Sequence, residues 1–189
     1  LATRGALGGV SHATMDAVRI LDAAGFDLII VETVGVGQAE VDIVRLADTC
    51  LVVLVPGMGD SIQSMKAGIL EIADVFVINK SDREGADSVE RDLNLLLSLS
   101  DYSKEGWTPS ILRTVATRGE GTEKLCASVD MHHKWLMSSK HGQTKRQRIL
   151  RENILRLLAD LVLNKASQAQ EAELNRMVDE CLQRKADPY

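Results

Sequence analysis

No two cysteines lie close together in this chain, no stretch is strongly basic, and no apolar run approaches the ~18 residues of a membrane-spanning helix. Cys50, Cys126 and Cys181 are odd in number and widely spaced, which argues against a disulfide framework and for inert thiols in a reducing compartment. A formal net charge of -5 and a pI near 5.4 leave no electrostatic footprint for nucleic acid. Internal repeats, low-complexity tracts and a visible signal peptide are also lacking. Neither a nucleic acid nor a membrane is therefore expected as a partner. The chain begins at Leu1, and an upstream segment is expected to have been removed. What is present is an ordinary globular composition: 189 residues, 45% apolar, enough for one domain with an appendage.

Short apolar runs alternate with amphipathic segments. Residues 27–31, 51–55, 75–78 and 110–115 read as strands, each continuously apolar rather than alternating, as in a sheet covered on both faces. Helical patterns lie at about 12–24, closed by Gly25, and at about 38–48, 60–72, 85–99 and 120–138. This order predicts an α/β fold with a mostly parallel sheet flanked by helices, its ligands at the carboxyl ends of the strands. From about Gln143 to Leu163 apolar residues recur at helical spacing. Ser167 and Gln170 resemble a capping box that opens a second helix. With Ser138 to Thr144 as the linker, the expected division is 1–140 and a helical appendage at 141–189.

The chemistry is concentrated where strands end. Val75 to Ile78 runs into Asn79-Lys80-Ser81-Asp82, and an Asn-Lys-x-Asp at a strand tip selects guanine, because one carboxylate accepts both N1–H and the exocyclic amine. Asn79 is expected to tether neighbouring loops, the Lys80 stem to lie along the base, and Asp82 to read the guanine edge. A backbone amide near Ala116 is expected to donate to the guanine carbonyl. Upstream, Glu32 stands at a strand tip three residues before Gly35, an arrangement suited to holding a Mg²⁺ water and letting an amide approach a γ-phosphate. His132 and His133 beside Trp135 read as exposed surface histidines, since adjacent helical side chains diverge by about 100° and do not share one ion easily. The basic run from Lys145 reads as a solvated helix face.

RGALGGV at 4–10, AAGFDLIIVETVGVGQAEVDI at 23–43, GDSIQSMKAGILEIADVFVINKSD at 59–82 and TVATRGEG at 114–121 together resemble the MeaB/ArgK/MMAA family. These are G-protein chaperones of adenosylcobalamin-dependent methylmalonyl-CoA mutase, with a SIMIBI-class, P-loop NTPase-like core. The resemblance implies GTP/GDP and Mg²⁺ as cofactors, GTP hydrolysis, a homodimer joined by the C-terminal helices, and the mutase as partner. It also implies a cytoplasmic location in a bacterium and the mitochondrial matrix in a eukaryote. By the same resemblance Glu32 is the Walker B acid, and Gly35, Gly37 and Gln38 belong to the second switch. Asp60, Gln63 and Lys66 then occupy a third switch that couples nucleotide state to the mutase. Read from spacing alone, those three residues are better taken as a solvated helix start with Asp60 as cap.

The family's G-x-x-x-x-G-K-[ST] phosphate loop is found nowhere in these 189 residues. The chain is expected to be the C-terminal portion of a longer GTPase and inactive in hydrolysis by itself. Two other readings stand beside this one. A metallochaperone GTPase of the same fold should carry paired Cys/His ligands near its switches, and a dimeric guanine-nucleotide adaptor would have lost turnover.

Overall fold

The computed structural model describes residues 12–33, 43–57, 72–99, 106–183, 185 and 187. Two compact units divide the chain, residues 1–147 and 148–189. In the first, helix α1 (His12–Ala23) ends at Gly25, whose φ of +84° is a left-handed conformation that glycine adopts at low cost. Strands β1 (Leu51–Leu54), β2 (Val75–Asn79) and β3 (Ser110–Thr114) form a three-stranded sheet in the order β1-β2-β3. Both pairings are parallel, Val52 lying opposite Phe76 and Phe76 opposite Ile111. Helix α2 (Ala86–Leu99) makes the crossover from β2 to β3. A 3-10 turn (Ala116–Arg118) and helix α3 (Thr122–Ser138) follow β3.

The core lies between α2 and one face of the sheet. Phe76 and Ile78 from β2 meet Ala86, Val89 and Leu93 from α2, with Val52, Leu54 and Ile111 packed around them. Residues two apart on a strand share a face, so the apolar run of β2 supplies this core with every second residue. Burying a side chain such as Phe76 or Leu93 stabilises by about 1.5–3 kcal/mol. Val75 and Val77, on the other face, are buried as well, and α3 packs on that side against β2 and β3. Ser110 of β3 and Ser128 of α3 join there, hydroxyl to hydroxyl, at 2.6 Å.

Residues 27–31 form no strand: among the described residues no strand pairs with them, and Leu28 and Ile30 are 70% and 82% exposed. Apolar content alone does not make a strand, because its backbone groups need a ladder partner. Of the expected helix at about 38–48, residues 43–48 are described and form a short turn after Ile43 rather than a continuing helix, while the helix expected at about 60–72 falls outside the described residues except for residue 72.

The expected linker is a tight corner instead. Helix α4 (Lys140–Ala169) starts two residues after α3 ends, and only Ser139 between them is extended, with φ -84° and ψ 151°. The Ser139 hydroxyl accepts the Gly142 N–H at 2.9 Å and so caps α4. Gly142 serves close approach rather than flexibility, since a Cβ there would stand 2.4 Å from the Leu136 carbonyl oxygen. The second helix does not open at Ser167, because α4 continues through Ala169. The Asn164-Lys-Ala-Ser-Gln-Ala169 stretch contains neither Gly nor Pro to stop it. Helix α5 (Glu171–Leu182) follows Gln170, which makes no side-chain cap.

In the second unit Ile154, Leu158, Leu161 and Val162 of α4 and Leu174, Met177 and Val178 of α5 are all exposed. Among the described residues no helix is long and apolar enough to cross a membrane.

Candidate guanine-nucleotide site

The Asn79–Asp82 segment leaves the sheet at the carboxyl end of β2, beside the end of β3. Lys80 makes the turn possible with φ +55°, the one positive value outside glycine among the described residues. A lysine in the left-handed region is uncommon, and such strain gathers where surrounding contacts enforce it. Those contacts are present. The Ser81 N–H donates to the Thr114 carbonyl at 3.1 Å, extending the β2–β3 contact past the strand end, and the Arg83 N–H donates to the Lys80 carbonyl at 3.0 Å.

The Asn79 side chain faces the chain after β3. Its Oδ1 accepts the Ala116 backbone N–H at 3.1 Å and the Thr114 hydroxyl at 3.2 Å. Asp82 is held by the same turn, with Oδ2 accepting from Arg118 Nη2 at 2.5 Å. The turn itself is closed by the Val115 N–H on the Glu120 carbonyl at 3.0 Å. Gly121 must be glycine here, with φ +80° and a position where a Cβ would meet the Arg113 carbonyl oxygen at 2.1 Å.

The structure thus brings Asn79, Lys80, Asp82 and Ala116 to one loop cluster. Ala116 gives its N–H to Asn79 and so braces the two loops. Thr114 and Arg118 also belong to the cluster. Both lie within the TVATRGEG stretch, but only the fold shows which oxygens they reach. Glu32 is exposed near the end of the described 12–33 segment. Gly35, Gly37, Gln38, Asp60, Gln63 and Lys66 lie outside the described residues. Among the described residues no group of three or more His, Cys, Asp or Glu is placed to hold a metal ion.

A second polar cluster occupies the opposite end of β2. Asp74 is buried, its Oδ1 accepting from Lys145 Nζ at 2.7 Å and its Oδ2 from the Cys50 N–H at 2.9 Å, while its carbonyl accepts from Trp107 Nε1 at 2.9 Å. His132 is fully buried, which corrects its expected surface position; His133 is the exposed one. The His132 Nδ1 lies 2.8 Å from the Thr49 hydroxyl. Its Nε2 lies 3.2 Å from Asp74 Oδ1, in ion-pair range but off hydrogen-bond alignment. Burial alone would push the Asp74 carboxyl up, yet contact with His132 and Lys145 outweighs it and holds the group below its ordinary value. Lys145 is accordingly a structural anchor of α4, not part of a solvated face. Burial, then the Asp74 charge, pushes the Cys50 thiol up to about 12.

Comparison with known families joins these observations. Residues 1–171 match the family model described as methylmalonyl Co-A mutase-associated GTPase MeaB. The chain belongs to the MeaB family. A Pyrococcus horikoshii protein named as a GTPase is 47% identical over all of this chain and 60% of its own length. The mitochondrial methylmalonic aciduria type A homolog of Mus musculus is 33% identical over 81% of this chain and 40% of its own. A crystal structure of an LAO/AO transport system kinase superposes with a TM-score of 0.66 at 25% identity, covering 92% of this chain and 57% of that one. The α/β fold of this MeaB chain is that of the kinase's P-loop NTPase-like core. The chain spans less than two thirds of the length of each of these relatives.

Proposed function

We propose that the protein is a GTP-hydrolysing chaperone that gates cofactor loading, or protection, of an adenosylcobalamin-dependent methylmalonyl-CoA mutase. The observation that carries the guanine part is the bracing of Asn79 and Asp82 by the single turn at Ala116–Arg118. A carboxylate fixed at a strand end accepts two N–H groups that guanine offers and adenine lacks. Family membership supports the GTPase part. Glu32 would hold Mg²⁺ through a water, and the nucleotide's phosphates would complete its coordination. Gly35 and Gln38 would form the second switch. Hydrolysis needs amides and a lysine around the phosphates, so residues 1–189 by themselves are expected to show no turnover. The exposed apolar residues of α4 and α5 beyond Arg148 support a homodimer that covers them.

The mutase is the partner that the family's description names. Asp60, Gln63 and Lys66 are the proposed coupling residues, because a nucleotide biases a partner only through contacts that differ between two states. GTP hydrolysis by the intact protein, with and without a methylmalonyl-CoA mutase, tests this in wild type, Gln63→Ala and Lys66→Ala. The expected result is near-normal GTP affinity with mutase stimulation reduced about fivefold or more. Equal stimulation in all three proteins, or none in wild type, contradicts the proposal.

A further inference from the structure

We infer that Arg118 is a specificity-determining positioning residue, fixing the Asp82 carboxylate in the orientation that reads the guanine 2-amine. The inference rests on the guanine reading above and adds to it a residue that the Asn-Lys-x-Asp pattern does not contain. Asp82 is 41% exposed at its side chain and lies beyond the end of β2, where no strand neighbour holds it. A half-exposed carboxylate free to change rotamer must be ordered when the base arrives, and that ordering weakens binding.

Arg118 supplies the order in advance. Its Nη2 lies 2.5 Å from Asp82 Oδ2 and its Nη1 3.4 Å from Glu120 Oε1, so the guanidinium is itself held from two sides. The turn that carries it is rigid. Gly119 closes it at φ +71°, the Arg118 N–H donates to the Val115 carbonyl at 2.9 Å, and Ala116 is tied to Asn79. One short turn therefore grips the recognition motif at its first and last residues.

The grip leaves the carboxylate able to work. A carboxylate offers about four lone-pair sites, and Arg118 approaches a single oxygen, so acceptor capacity remains for N1–H and for the amine. Arg118 thus acts through Asp82.

Hypoxanthine keeps the guanine N1–H and carbonyl but lacks the 2-amine, so the ratio of GDP to IDP affinity reports the amine contact. Calorimetric titration of the intact protein with GDP, IDP and ADP is the experiment, in wild type, Arg118→Ala and Arg118→Lys. The expected result is a GDP-to-IDP ratio about two- to fivefold lower in Arg118→Ala, the range of an exposed ion pair. The melting temperature should stay unchanged, and Arg118→Lys should restore part of the ratio. Added salt should lower the wild-type ratio and leave that of Arg118→Ala alone. An unchanged ratio in Arg118→Ala, or tighter GDP binding, overturns the inference while the guanine reading stands. A wild type that binds ADP as well as GDP removes the guanine reading itself, and this inference with it.

Discussion

Asn79 Oδ1 and the Ala116 backbone N–H meet at 3.1 Å across 37 positions of sequence, joining the end of β2 to the turn after β3. The Thr114 hydroxyl shares the same oxygen. Two loops that a nucleotide base would have to find separately are one body before it arrives, which lowers the ordering cost of binding.

Asn79→Ala removes both contacts and leaves the Ala116 N–H without its acceptor. The expected cost is about 1–3 kcal/mol in guanine-nucleotide affinity, and a smaller loss of stability because the loop is partly exposed. Titration with GDP alongside thermal melting checks it. An affinity equal to wild type would show that the brace has no part in binding.

At the other end of β2, Asp74 ties α4 to the sheet through Lys145. Its carboxyl is held below the ordinary value, so the stabilisation is fully present above the unfolded-state pKa of ~3.9 and is lost as pH falls through that range toward the folded value. Asp74→Asn should cost about 2–4 kcal/mol at pH 7, short of a fully buried pair because Lys145 stays partly exposed. It should also flatten the decline in stability on acidification below pH ~4. Urea unfolding at several pH values is the measurement. A variant whose stability tracks wild type across that range would contradict this role.

Cys50 and Cys126 should react very differently. Cys126 is exposed, whereas Cys50 is buried with its thiol pushed up to about 12, and the thiolate is the reactive form. A thiol-disulfide reagent at pH 8 should label Cys126 in the folded protein and Cys50 only after denaturant is added. Labelling of both at the same rate in the native state would show that the core near β1 opens readily.

The legible and illegible parts of the sequence separate on physical grounds. Val75 to Ile78 was readable because a continuously apolar run bounded by polar residues has few fates other than a buried strand, and Asn79-Lys-Ser-Asp82 was readable because its spacing is tied to its chemistry. Residues 27–31 carry the same apolar signal and, among the described residues, pair with no strand, since pairing depends on a neighbour that no local pattern encodes. Gly142 permits a close contact with Leu136, which a glycine between two helical patterns does not distinguish from a linker. The burial of His132 is not legible locally, because the groups beside its ring nitrogens, Thr49 and Asp74, lie far from it in sequence. Arg118 was visible as a letter in TVATRGEG, but its hold on Asp82 exists only once β2 and β3 are side by side.

Asp82 is expected to make the protein guanine-selective, and calorimetric titration of the intact protein with GDP and ADP tests this most directly. Wild type should bind GDP well over tenfold more tightly than ADP. Asp82→Ala should weaken GDP binding by ~1–3 kcal/mol, roughly tenfold to a hundredfold, with ADP binding little changed. Equal affinity of wild type for the two nucleotides, or a GDP affinity unmoved by Asp82→Ala, would contradict the account.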